Sequence, residues 1–289
     1  MNTNKRQRRQ YRLAWLFLFP SVSGMGVFYG LPFMDVVRRS FLDAMGQSFT
    51  GLDNYRAVWN NQAFRLAFGN TFRFLAVAIP LLFIVSLVLA LLVYRAGLCR
   101  QWFKAGLMLP MAVPAAAIAL AWKILLCPDG CLNQFLTFLT GEGWGRDWVN
   151  GDTAFPILVG TYLWKNIGYD MLLWLAGLSA VPEGLYDAAK VDGAGVFARI
   201  RHISLPNLGG AMAMVLVLSL VNSFRVYREA YLLAGAYPDP SIYLIPHLFG
   251  HWFLNLDVQK MCTGAMFLLL AFLPCFGAAK AAAARQRKA

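Results

Sequence analysis

The chain has 289 residues, of which 59% are hydrophobic and 14% are charged. Soluble domains are about half apolar and about a quarter charged, so an ordinary soluble enzyme or binding module is excluded. The net charge of +12 does not point to nucleic acid, because no basic groove sequence interleaves aromatics with Lys and Arg. The charges instead sit at the ends of apolar runs, the membrane-topology pattern.

The basic start MNTNKRQRRQYR resembles that of a signal peptide. The apolar run behind it, Leu13 to Val37, exceeds a signal core of about 7–15 residues and lacks a small-x-small cleavage site, so it reads as a retained first membrane helix. Apolar runs of bridging length, about 20 residues, recur at 68–94, 104–126, 154–180, 209–234 and 258–280. The expected fold is all-α: a polytopic membrane protein of six spans, with basic ends at 1–12 and 281–289 enclosing one membrane domain, 13–280. With the N-terminus inside, fifteen Lys and Arg fall on inner segments and six on outer ones, which places both ends in the cytoplasm. Trp144 and Trp148 in the outer loop 127–153 suit the membrane surface. Cys127 and Cys131, in CPDGC, have no second pair or nearby His for zinc. A local disulfide and two free thiols both fit the spacing.

Segment 181–208 is too polar to span and reads as two short helices. Pro182 and Glu183 suit a helix start. Leu185, Ala188, Ala189 and Val191 give a face of small and apolar residues, and Gly193 and Gly195 end the helix. A second helix, about 196–203, is expected to end before Pro206. A small-residue face lets another surface approach closely. Lying on lipid is the competing reading, against which stand Glu183, Asp187 and Asp192.

Asp187-Ala188-Ala189, three residues, Gly193, nine residues, then Ile203-Ser204-Leu205-Pro206 resembles the "EAA" loop of binding-protein-dependent importer permeases, E-A-A-x3-G-x9-I-x-L-P. Asp187 departs from the usual Glu. Gly51-Leu52-Asp53-Asn54-Tyr55, Asn70-Thr71, Leu109-Pro110 with Trp122-Lys123, and Leu175-Ala176-Gly177-Leu178 resemble segments of the carbohydrate-uptake branch, which includes maltose and glycerol-phosphate permeases. Ala234-Gly235-Ala236-Tyr237-Pro238 departs from that branch's "TGGGP". The resemblance implies a permease subunit of an ATP-binding-cassette importer in the bacterial cytoplasmic membrane. It implies a second homologous permease, a cytoplasmic ATPase dimer and an extracytoplasmic solute-binding protein as partners, with the bilayer as solvent. It also assigns ATPase coupling to Leu185, Asp187, Ala188, Ala189, Gly193, Leu205 and Pro206. Independently, the chain has no G-x-x-x-x-G-K-[ST] phosphate loop, so ATP belongs to partner subunits and no cofactor of its own is expected.

Polar residues within spans are costly and often line a path. Asn166 and Asp170 are four apart on one helix face, with Tyr169 between them. Asn222, Arg225 and Glu229 follow i, i+3, i+7. Asn166, Tyr169, Asp170, Asn222 and Arg225 are therefore the candidate substrate path, while Arg225, Arg228 and Glu229 equally suit pairing across helices. His247 and His251 have helical metal spacing without a third ligand, and an external interfacial helix is expected there. No metal site and no catalytic constellation stand out. A secondary transporter would need a coupling-ion site or internal repeats, and neither is present.

Overall fold

The computed structural model describes residues 3–95 and 100–286, with side chains described for Tyr11, 13–94 and 101–274. Apart from Tyr11, the expected basic ends lie outside the described side chains. In chain order the helices are α1 (Thr3–Met25), α2 (Leu31–Ser40), α3 (Asp53–Asn60), α4 (Gln62–Arg95), α5 (Arg100–Ala112), α6 (Ala115–Leu126) and α7 (Cys131–Thr140). They continue as α8 (Ala154–Ser179), α9 (Glu183–Val191), α10 (Val196–Arg199), α11 (Leu205–Asn207), α12 (Gly209–Arg225), α13 (Tyr227–Ala234), α14 (Ile245–Leu254) and α15 (Val258–Gln286). Among the described residues the only strand-like pairing is a single bridge, Leu42 to Phe49.

Among the described residues, Leu13–Ser40, Gln62–Tyr94, Ala115–Thr140 and Gly209–Ala234 are long and apolar enough to cross a membrane, and Val258–Pro274 is a shorter apolar helix. The protein is thus a multi-pass helical membrane protein. α8, over the expected fourth span, has 26 residues and the reach to cross, about 39 Å at 1.5 Å per residue. It carries Lys165 and Asp170, which lower its hydropathy, and buries twelve residues, as suits a helix surrounded by protein.

Two expected spans are not single helices. The third, 104–126, breaks between α5 and α6. Pro114 takes an extended ψ of 142° and has no N–H to donate to the α5 carbonyls. The fifth, 209–234, is interrupted at Val226 between α12 and α13, although Val226 itself keeps helical dihedrals, φ −60° and ψ −21°. The second loop helix was expected to end before Pro206. Instead α10 runs through a π-turn, Ile200–Ser204, directly into α11, and Pro206 sits within that continuous run, where its missing N–H leaves a gap in the hydrogen-bond ladder next to the π-turn.

The chain forms two compact units. The first comprises residues 1–64 and 251–274. There α1 passes through a π-turn, Gly26–Gly30, into α2. Phe17, Phe28 and Tyr29 stand exposed along this helix, as lipid or a second membrane subunit would require. Behind it the chain reverses on a polar buckle. Asn54 donates from Nδ2 to the carbonyls of Ser40 (3.0 Å) and Leu42 (2.6 Å), and the buried Ser40 hydroxyl pairs with Tyr55 at 2.8 Å. Asp43 accepts from Gln47 N and Ser48 Oγ, and these hydrogen bonds hold its carboxyl below the usual range.

The second unit comprises residues 65–250 and 275–289, and α8 is its axis. One end of α8 buries Leu158, Val159 and Tyr162 against Phe74, Ala78 and Leu82 of α4 and Val226 and Ala230 at α13. The other end buries Met171, Trp174, Leu175 and Leu178 against Ala90 and Val93 of α4 and Leu208 and Val215 by α12. At Gly168 the α5 backbone comes so close that an added Cβ would lie 1.9 Å from the Leu107 carbonyl oxygen. Trp174 Nε1 donates to Ser86 Oγ of α4 at 3.0 Å, which satisfies both groups where water is absent.

The loop segments of this unit, 127–153 and 235–245, are tied by side chains to backbone. Asn133 Nδ2 donates to the carbonyls of Cys127, Pro128 and Arg146, and its Oδ1 accepts from Trp148 Nε1. The Trp144 and Trp148 rings stack at 6.4 Å. Asn70 donates to the carbonyls of Pro240 and Tyr243, and Thr71 Oγ1 accepts from Ile245 N. Burial raises the Asp239 carboxyl, but hydrogen bonds from Ser241 and from Gly151 N outweigh it, so its pKa is lowered. Cys127 and Cys131 are free, exposed thiols. His247, on the segment expected to be an interfacial helix, is buried. Its Nδ1 accepts from Leu244 N at 3.2 Å, and its ring sits edge-on to Tyr227.

Candidate functional site

The loop between α8 and α12 is one candidate site. Pro182, with φ −59° and ψ 129°, is the N-cap of α9. Glu183 occupies the first turn and Lys190 the last, each favourable to the helix dipole there. The exit is closed by Ala194 N donating to Ala189 O (2.8 Å) and Gly193 N to Lys190 O (3.1 Å). This is the six-to-one closure of a Schellman end. It needs a left-handed residue, and Gly193 supplies φ +75°. The Tyr186 and Ser204 hydroxyls pair at 3.0 Å, pinning α9 to the segment that leads into α12.

No residue of α9 is buried. Leu185, Ala188 and Val191 are exposed and Ala189 is half-buried, so the expected small, apolar face exists and has no cover among the described residues. Phe197, on the next helix, is 75% exposed. The sequence reading missed it, although an aromatic in a polar loop was a usable signal. Asp187 pairs with Lys190 at 2.8 Å in the open and borders a cleft of about 360 Å³ shared with Glu183, Tyr94 and Arg199. Leu205 is half-buried and Pro206 exposed, at the entry to α12.

The second candidate lies inside the membrane region. A cavity of about 220 Å³ opens where both helix breaks meet α8. Met111 and Ala115 border it from either side of the α5–α6 break, and Arg225 and Val226 border it at the α12–α13 break. Asn166, Asn222 and Arg225, three of the five expected path residues, line it. Asn166 turns its Nδ2 to the Tyr162 carbonyl (2.8 Å), leaving its oxygen side for the cavity. Arg225 contacts Asn222 at 3.4 Å, beyond the ordinary hydrogen-bond range.

The other two expected residues are not in that lining. Asp170 is fully buried and accepts from Ser219 Oγ at 2.7 Å, which fastens α8 to α12. Tyr162 Oη donates to the Ser219 carbonyl from the same side. Tyr169 is half-buried. Lys165, Arg228 and Glu229 do line the cavity. Lys165 pairs with Glu229 across α8 and α13, the cross-helix pairing that the sequence left open for this glutamate. Among the described residues no group of three or more His, Cys, Asp or Glu side chains is placed to hold a metal.

Residues 83–286 match a family described as "Binding-protein-dependent transport system inner membrane component". The chain is 31% identical over 242 residues to the trehalose/maltose transport system permease protein of Thermococcus litoralis, covering 82% of this chain and 81% of that one. It is 28% identical over 267 residues to the sn-glycerol-3-phosphate transport system permease protein of Yersinia enterocolitica, covering 89% of each. In fold it is similar to a chain of a bacterial ABC transporter involved in import of the acidic polysaccharide alginate. The TM-score is 0.80 and the identity 21%, with 100% of this chain and 99% of that one covered.

Proposed function

The chain belongs to the family of binding-protein-dependent transport system inner membrane components, and from that membership we propose that it is one permease of a sugar importer in the bacterial cytoplasmic membrane. It works beside a second, homologous permease. An extracytoplasmic binding protein delivers a sugar or related small polar solute, and a pair of cytoplasmic ATPases binds and hydrolyses ATP. The chain itself has no phosphate-loop sequence and supplies motion rather than chemistry. The named relatives carry maltose, trehalose and glycerol 3-phosphate, which supports the solute class.

The observation that carries this reading is the bare α9 face. Leu185, Ala188 and Val191 stand exposed, as does Phe197 on the following helix, outside any span. An apolar patch left open in this way marks a docking site, and the small Ala188 allows a groove to close against it. The load path is short. The Tyr186–Ser204 hydroxyl pair and the continuous helical run from α10 to α11 carry a displacement of α9 into α12, and α12 borders the cavity through Asn222 and Arg225. Alternating access follows when the ATPases close and pull the two loops.

Ala188→Glu tests this directly. The position is exposed, so the variant inserts and folds, yet it brings bulk and charge to the contact. It should lose co-purification with the ATPase, or lose solute-stimulated ATP hydrolysis if docking survives. Gly193→Val, which forces a β-branched residue to φ +75°, should do the same by distorting the loop. Wild-type assembly and uptake in both variants would remove the loop as the coupling element.

A further inference from the structure

We propose that the solute admitted to the cavity at the α12–α13 break carries an oxyanion, a carboxylate or a phosphate, rather than being a neutral sugar. This deepens the importer reading and rests on it. The cavity is bordered by three cations, Lys165, Arg225 and Arg228, and by one carboxylate, Glu229. That carboxylate is already spent, since it is paired with Lys165 and its side chain is only 4% exposed. Two guanidiniums therefore face the space without an opposing charge. Arg225 has only the 3.4 Å approach to Asn222, and for Arg228 the described residues provide no ion pair or hydrogen bond.

The charged part of the lining favours an anion over a neutral ring. A sugar hydroxyl both donates and accepts, so a neutral saccharide needs acceptors in the wall as well as donors. Guanidinium offers five N–H donors and no acceptor. The strongest acceptor present, Glu229, is paired with Lys165, and the remaining side-chain acceptors are neutral, the oxygens of Thr161, Asn166 and Asn222 among them. An oxyanion accepts two parallel hydrogen bonds from one guanidinium, the strongest and most directional pairing open to arginine. Two such groups stand three residues apart within a membrane span, both exposed rather than buried, so they are open to an entering solute, and charge kept at such a place is a mark of an interior path. A transient anionic solute completes them without a permanent partner that would block its release.

The test uses the assembled transporter in nanodiscs of phosphatidylcholine, a lipid without net charge, and omits the solute-binding protein so that the permease cavity alone selects. Binding is read from the fluorescence of the Trp122–Trp164 pair, whose rings lie 6.0 Å apart next to Lys165. The probes are a trigalacturonate against the neutral galactose trisaccharide, and glycerol 3-phosphate against glycerol. At least one anion should bind about tenfold or more tightly than its neutral counterpart, and added salt should weaken it. Arg225→Gln and Arg228→Gln should each erase that preference, while Arg228→Lys keeps part of it. Glu229→Gln should strengthen anion binding several-fold, a gain that no merely structural role would produce.

Equal binding of acid and neutral forms, or binding of neither, overturns the proposal. So does loss of permease pairing in Arg225→Gln and Arg228→Gln with retention in Arg228→Lys, because the guanidiniums would then be ion pairs to the second permease. A signal that appears only when anionic lipid is added, and with no solute, assigns the site to lipid headgroups and overturns it as well. ATP-driven uptake of the neutral trisaccharide without preference for the acid sinks this inference and leaves the importer reading standing.

Discussion

Gly168→Ala is expected to be the most damaging single-methyl change in α8. The added Cβ would lie 1.9 Å from the Leu107 carbonyl oxygen and 2.4 Å from its carbon, where ordinary contact begins at 3.4 Å. The obstacle is backbone, so no rotamer relieves it, and α5 has to withdraw by about 1.5 Å. Opening a packed seam by even 0.5–1 Å forfeits about a quarter to a half of its dispersion energy. The cost should therefore reach or pass the upper end of the usual overpacking range, about 3 kcal/mol. Two other glycines of the same helix calibrate it. At Gly177 the new Cβ would meet the Ala211 Cβ at 2.7 Å and the Leu208 Cδ2 at 2.8 Å; these are side chains, one of which can turn, so about 1–2 kcal/mol is expected. At Gly160 nothing lies within 4 Å, and alanine should be neutral or stabilising by up to about 1 kcal/mol. Thermal unfolding of the purified assembly should rank the variants Gly160→Ala, Gly177→Ala, Gly168→Ala in falling midpoint, with the last also losing uptake. A Gly168→Ala protein that melts with Gly160→Ala would refute the close α5–α8 crossing.

Lys165→Met should destabilise the protein by about 3–5 kcal/mol, because it leaves the Glu229 carboxylate buried and alone. Glu229→Gln should cost less, since Lys165 keeps 24% of its side chain exposed at the cavity edge, and the double change to Met at both positions should come back near wild type. Unfolding midpoints of the three variants decide this, and equal single-variant losses would argue against the asymmetry. For topology, single cysteines at Asp53, Trp148 and Asp239 should label from outside and one at Asp192 should not. The reverse pattern would overturn the six-span arrangement with cytoplasmic ends.

What the sequence made legible divides by where each residue's partner lies. α9 was read correctly because its determinants are local: Pro182 begins it, Gly193 ends it, and its face repeats within two turns. The Gly51–Tyr55 and Asn70-Thr71 segments were located by resemblance, but their work was hidden. Asn54 and Asn70 close loops by capturing backbone carbonyls, in the case of Asn70 from 170 residues away, and no spacing rule reports such a bond. The cavity was read in part for a related reason. The i, i+3, i+7 spacing put Asn222, Arg225 and Glu229 on one face, and all three do border the cavity, but spacing alone could not tell that Glu229 pairs with Lys165 while Arg225 has no ion pair among the described residues. Asn166 and Asp170 show the remaining ambiguity most directly. They are one turn apart on the same helix and were indistinguishable by polarity. At the level of Asn166 the facing chain is broken and leaves a void. One turn on, α12 is intact and offers Ser219 at 2.7 Å. A polar side chain inside a membrane protein joins two helices wherever a neighbouring helix presents a partner and lines a path where that helix is interrupted. The interruptions at Pro114 and Val226 therefore set which of these residues border the cavity.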